Sequence, residues 1–254
     1  MGFVLESEGI DLGKIFLDTS SGLSGETISS LILIGIICLL SFYIAIRSRF
    51  ADPLKKPKGI LFLAEVGVTF FDGLVESLMG KKYRGFGGFI MAIAVYLFLA
   101  FIWGLTGLPS PITYMAIPLS LGLSTFMLIH ATAIKYNKFR YFKRYIEPVP
   151  VFLPVNLISM WAPLLSLTLR IFGNAISGFV IMSIIYAGLE TASASIFAAL
   201  EPMIGEWNQV FLAPLVTWVF HLYFDLWAGF IQTTVFLSLT SIYVGQEIPE
   251  DLVG

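Results

Sequence analysis

LLSLTLRIFGNAISGFVIM, Leu164 to Met182, sets a single arginine, Arg170, in an otherwise apolar stretch, and no other Lys or Arg follows Arg144. The surrounding run from Pro150 to Gly188 is almost free of charge over 39 residues, and a second run from Gln209 to Val244 over 36. As unbroken helices these runs would be roughly 55 to 60 Å long, against a hydrocarbon core of about 30 Å. They are therefore expected to tilt steeply, kink or break, with Pro150, Pro154, Pro163 and Pro214 as places to bend.

The rest of the chain agrees that the solvent is lipid. Of 254 residues, 57% are hydrophobic and 13% charged, and the mean hydropathy is +0.87, too little polar surface to coat a soluble globule. A net charge of −2 gives no basic surface for nucleic acid. Cys38 is the sole cysteine, and His130 and His221 the sole histidines, so neither a disulfide framework nor a His/Cys metal centre is expected. Nucleophile–base pairs and phosphate loops are absent; GFGG at Gly85–Gly88 follows a basic loop, not a strand, and reads as helix packing. No cofactor is expected, and the chain is not an enzyme on its own.

Topology follows from the basic residues. Residues 1–26 form an acidic extracytoplasmic tail, with Glu6, Glu8, Asp11, Asp18 and Glu26 against Lys14. Thr27 to Ile46 is a first transmembrane helix. Three clusters follow: Arg47 to Lys58, Lys81 to Arg84, and Lys135 to Arg144. Short basic loops stay in the cytoplasm, which puts the N-terminus outside and the C-terminus inside. The segment Ile60 to Gly80 lies between two of these clusters. Its acids Glu65, Asp72 and Glu76 share one helical face, as in an amphipathic helix lying along the interface; a re-entrant hairpin is the alternative. Phe86 to Leu108 and Tyr114 to Ile134 form a transmembrane hairpin through the LPSPIT turn. The expected fold is an all-α integral membrane protein, with residues 27–254 as one multi-pass domain. It comprises one N-terminal transmembrane helix, the interfacial helix, the hairpin, and two long, steeply tilted helices forming an antiparallel hairpin.

A guanidinium cannot lose its proton, and inserting one into lipid costs roughly 2.5 kcal/mol or more. Arg170 lies about 20 residues from either end of its run, too far to snorkel from an upright helix. Ser166, Arg170, Asn174 and Ser177 fall on one helical stripe, extended backwards by Ser159 and Pro163. In the last run His221, Asp225, Gly229 and Gln232 are spaced as a matching stripe. A carboxyl, an imidazole and an amide on one membrane face are the parts of a proton or ion relay; the plainer reading is that His221 and Asp225 satisfy each other and hold helices together.

LTLRIFGN, Leu167 to Asn174, resembles the signature of the a subunits of F-type ATP synthases, and GFIQTTVFLSLTSIYVG, Gly229 to Gly245, resembles their final helix. The resemblance runs from the first span to the C-terminus. It implies a stator subunit in the Fo sector of a bacterial plasma membrane, whose partners are the c-subunit ring, the peripheral-stalk b subunit and the remaining subunits of the complex. Arg170 would face each ring carboxylate in turn, with Asn174 beside it and Gln232 across from it. A ring carboxylate crosses lipid only when neutral and is stabilised as an anion opposite Arg170, so ions ride the ring between two offset half-channels. The outer half-channel falls to Asp225 and His221, with Glu190, Glu201 or Glu206 near its mouth. Phe179 stands where many relatives carry a channel-lining Glu or His, and Ala116 where a polar Asn is common. Whether H⁺ or Na⁺ is carried is set on the c subunit. A secondary transporter binding an anionic substrate at Arg170 is the competing reading.

Overall fold

The computed structural model describes residues 24–52, 55–138, 141, 150–198 and 212–249. The acidic tail before Ser24 and the linker acids Glu201 and Glu206 lie outside the described residues. Among the described residues the regular structure is entirely helical, and five helices are long and apolar enough to cross a membrane. The chain is an all-α, multi-pass membrane protein.

Helix α1, Gly25–Arg49, starts where Ser24 Oγ accepts a hydrogen bond from Thr27 N at 3.3 Å, with Glu26 in the first turn and Arg47 and Arg49 in the last. The cap satisfies an orphan donor, and both charge placements oppose the helix dipole. The helix touches the rest of the protein along a narrow strip, where Ser30 Oγ meets Tyr96 Oη at 2.7 Å and Leu33 is buried. The opposite side leaves Leu39 and Phe42 more than half bare. In water that surface would be costly; in hydrocarbon it is the natural exterior.

Helix α2, Ile60–Met79, differs from the simple picture of acids opposite an apolar face. Val75 and Met79 are buried against the protein, whereas Leu63, Val66 and Phe70, on another side, are exposed. The acids lie between two apolar surfaces, one packed and one bare. A short 3₁₀ turn, Lys81–Phe86, leads to α3, Gly87–Ile102. There Tyr83 donates to the Tyr136 hydroxyl at 2.6 Å; burial first, then this contact, push the Tyr83 phenol up to about 12, so it stays protonated.

Helix α3 is the centre of the core. Ile90, Ile93, Ala94, Leu97, Ala100 and Phe101, three or four residues apart, are all buried. Helices α1, α2 and the final helix pack around it. Helix α4, Ala116–Asn137, follows two short 3₁₀ turns, Trp103–Thr106 and Pro111–Thr113, and packs on both long C-terminal segments. The two arms of the expected hairpin thus each pack more closely on the final helix than on one another.

The first long run is one helix, α5, Leu153–Ile196, 44 residues that continue through Pro163 without a break. The second is α6, Leu212–His221, then a π-helical turn, Leu222–Trp227, then α7, Ala228–Gln246. Its irregularity therefore falls at a proline-free segment, not at Pro214. A π turn closes i→i+5 bonds and absorbs one extra residue, so it widens the helix without needing a lost N–H.

Glycines set the closest approaches. A Cβ built on Gly229 would lie 2.6 Å from the Phe101 Cβ, and one on Gly122 would collide with Thr168 Oγ1. With lipid outside and protein inside equally apolar, close backbone contact and dispersion drive such packing. We expect Gly229→Leu to destabilise the detergent-solubilised protein by about 1 to 3 kcal/mol through overpacking, whereas Gly188→Ala, which would meet nothing within 4 Å, leaves it unchanged; thermal unfolding of the two variants checks the contrast.

Candidate functional site

Arg170 occupies the middle of α5, between the buried residues Leu167, Thr168, Ile171 and Phe172 and the exposed Leu165, Leu169 and Phe179. One side of this helix is held by the protein and the other is bare and apolar. The guanidinium, half-buried, donates from Nη2 to Ser166 Oγ at 3.4 Å. No described carboxylate pairs with it. A guanidinium carries five N–H donors and a full charge, so one long bond to a hydroxyl leaves most of its capacity open.

The rest of the α5 stripe stands as the spacing predicts, because the helix is continuous. Asn174 is half-buried one turn after Arg170, and exposed Ser177 donates to the Asn174 carbonyl at 3.1 Å. Polar side chains are also buried on α4, α5 and α7. Thr125 Oγ1 and Thr240 Oγ1 are 3.4 Å apart, while Thr168 Oγ1, Thr233 Oγ1, Ser241 Oγ and Gln232 Oε1 are buried without a partner. Gln232 is therefore near the packed face of α7, with an amide oxygen still able to accept.

The last run does not carry one straight stripe. His221 ends α6 and Asp225 lies inside the π turn, whereas Gly229 and Gln232 follow in α7. The extra residue of a π turn rotates the next helical segment by about 100° relative to a regular helix. His221 and Asp225 remain together: Nδ1 and Oδ2 are 2.6 Å apart, with 27% and 23% of their side chains exposed. Gln232 Oε1 has no hydrogen-bond partner there. The carboxylate sits against Gly104, whose missing Cβ would be 3.8 Å from Oδ2.

Sequence spacing did not bring out Tyr186. Its hydroxyl lies 2.9 Å from His221 Nε2, giving a line Tyr186, His221, Asp225 across two elements. Tyr186 lies 16 residues beyond Arg170, about 160° around α5 and roughly 24 Å along it. No periodicity links it to the Arg170 stripe, and its partner is 35 residues away in the chain. Only the tertiary pairing of α5 with α6 makes it visible. Glu190 is exposed one turn beyond Tyr186.

Arg170 and the histidine–carboxylate pair are thus separate features: a positive charge with spare donors at mid-helix, and a partly buried acid–imidazole–phenol line nearer the end of α5. The first offers donors to an anion, and the second a chain of hydrogen-bonded groups that titrate.

Comparison with known proteins gives this geometry a context. Residues 27–245 match the family described as ATP synthase A chain. The chain is similar to the ATP synthase subunit a of Limosilactobacillus reuteri, 31% identical over 77% of this chain and 82% of that protein. It is also similar to those of Mycoplasmoides gallisepticum, 27% identical over 89% and 78%, and of Bacillus subtilis, 28% identical over 88% and 93%.

Proposed function

Because the chain belongs to the ATP synthase A chain family, we propose that it works as the stator a subunit of the Fo sector, with Arg170 as the fixed charge past which ring carboxylates move. The observation that carries this is the guanidinium itself. It is half-buried at the centre of a membrane helix and has one weak hydrogen bond among the described residues. A charge left so incompletely paired in an apolar setting is matched by an acid supplied from outside. The bare side of α5, with Leu165, Leu169 and Phe179, is the surface against which a ring of c-subunit helices would slide.

The proposed cycle needs two further elements. A ring carboxylate arriving neutral meets Arg170, gives up its proton, and is held as an anion by charge-assisted hydrogen bonds. Ser166, Asn174 and Ser177 keep that stripe polar, and the unpartnered Gln232 Oε1 offers an acceptor that steadies the guanidinium from α7. Protons reach the ring on the other side through Asp225 and His221, which are partly exposed and displaced along α5 from Arg170. A fixed positive charge between the two paths blocks direct leakage, since a proton following the same line would be repelled. About 100 mV across the membrane is worth roughly 2.3 kcal/mol per charge moved, and this becomes torque on the ring.

In this reading the chain carries no reaction centre of its own; ATP chemistry belongs to other subunits. Its partners are the c ring and the b subunit of the peripheral stalk. Tyr186 meeting His221 while Gly178 faces Phe224 supports an antiparallel pairing of the two long segments, whose lengths of 44 and 35 residues favour steep tilt. The two apolar sides of α2 suit an interfacial position, packed on the protein above and lying on lipid below. The N-terminus lies outside and residues 27–254 act as one membrane domain. The transporter reading finds no support in the family to which the chain belongs.

Arg170→Ala is expected to abolish ATP-driven ion pumping in reconstituted vesicles while the complex still assembles; normal pumping would end the proposal. Arg170→Lys should also largely fail, because a compact ammonium lacks the planar fork and can deprotonate. Asp225→Asn should slow proton uptake from the outer side while leaving assembly intact, and pumping unchanged across pH would remove Asp225 from the path.

A further inference from the structure

The third member of the line at His221 has no part in the cycle above. Tyr186 reaches His221 through its hydroxyl: the two ring centroids are 6.1 Å apart and tilted by 53°, so the rings do not stack, while Oη lies 2.9 Å from Nε2. The contact is one hydrogen bond at the ring edge, and its chemistry is set by the other nitrogen. With Asp225 ionised the carboxylate only accepts, so Nδ1 must carry the proton at the 2.6 Å contact with Oδ2. The neutral imidazole then has a bare Nε2, which accepts from the phenol.

Neutral imidazole exists as two tautomers, and the wrong one would set an Nδ1 lone pair against the carboxylate. The Asp225 carboxylate favours the right one from Nδ1, and a phenol donating to the bare Nε2 reinforces that choice, as groups behind a ligand histidine do at metal sites. We infer that Tyr186 is a positioning residue of the outer path: its hydroxyl holds His221 in the tautomer that presents Nδ1–H to Asp225, anchoring one carboxylate oxygen and leaving the other for the incoming proton. The inference rests on the placement of Asp225 in that path.

The surroundings favour this role. Asp225 lies in a π turn, so its backbone is not held by the regular α ladder, and a hydrogen-bonded neighbour does more to aim it there than in a straight helix. The groups facing Tyr186 are His221 and Asp225 from the α6–π segment and, one turn along its own helix, exposed Glu190. From the α3 side Gly104 backs the carboxylate, and Trp103–Thr106 contributes no ionisable group. Phe179, two turns before Tyr186 and more than half exposed, supplies no polar atom, so along this stretch of α5 the phenol is the group that reaches the pair.

The test uses the complete ATP synthase complex in vesicles, with proton conduction measured after each variant is confirmed to assemble. Tyr186→Phe keeps the ring and removes the donor; loss of one such hydrogen bond should slow conduction roughly fivefold. His221→Asn carries its amide donor at the position of Nδ1 and has no tautomers, so in that background Tyr186→Phe should cause no further change. Normal conduction in Tyr186→Phe overturns the inference. So does the same loss in both backgrounds, which marks a packing role. A second comparison leaves position 186 alone: His221→Asn should conduct several-fold faster than His221→Leu, and equal rates again overturn it. If Asp225→Asn conducts normally while Arg170→Ala is blocked, the placement of Asp225 has failed and the inference falls with it. If Asp225→Asn is slowed and Tyr186→Phe is not, only the role of Tyr186 fails.

Discussion

A guanidinium inside hydrocarbon has no protonation escape, so the structure around Arg170 is organised by the cost of its charge. Burial among apolar residues on one side and a single 3.4 Å bond to Ser166 leave the charge incompletely compensated. A soluble protein would answer with a carboxylate on a neighbouring helix, but no described acid does so here. Among the described residues nothing completes it, and the proposed function assigns that part to an anion from outside the chain. In the proposed cycle this is what would let Arg170 discharge a passing carboxyl group and bar a proton from moving straight through.

Holding such a residue in place requires a rigid frame, and in lipid that frame comes from contact without a hydrophobic drive between helices. Helix α3 supplies it through buried residues at three- and four-residue spacing, and the glycines at 122, 229 and 245 bring backbones together where any side chain would collide or crowd. The Thr and Ser hydroxyls buried on α4, α5 and α7 add polarity to the interior without adding charge. Helix α5 is long enough to carry the arginine and Tyr186 on different faces about 24 Å apart. Arg170 and the tyrosine that meets His221 can then sit on one element without touching.

Much of this was legible in the residues. The starts and ends of α1, α2 and α4 follow from the charge-free stretches and the basic clusters to within a few positions. The Ser166, Arg170, Asn174, Ser177 stripe survives because α5 is regular, and His221 and Asp225, four apart, were bound to be neighbours on any helix. The failures have a common cause. Pro163 was one place where the first long run could break, and α5 does not break there, because one missing N–H is tolerable in a helix packed by its neighbours. The break at Leu222–Trp227 has no breaker residue to announce it, and it splits the expected stripe between Asp225 and Gln232. Tyr186 carries no local signal at all.

The sequence by itself determined that the chain lives in lipid, how many long apolar helices it forms, and that Arg170 is the charge without an explanation. These follow from local composition and spacing, since hydration cost and helix periodicity are properties of each segment alone. Tertiary structure decided which helix meets which, where the last run turns π-helical, and that a tyrosine on α5 completes the His221–Asp225 pair. Those outcomes depend on energies shared between segments far apart in the chain, small at each contact, and no one stretch of sequence records them.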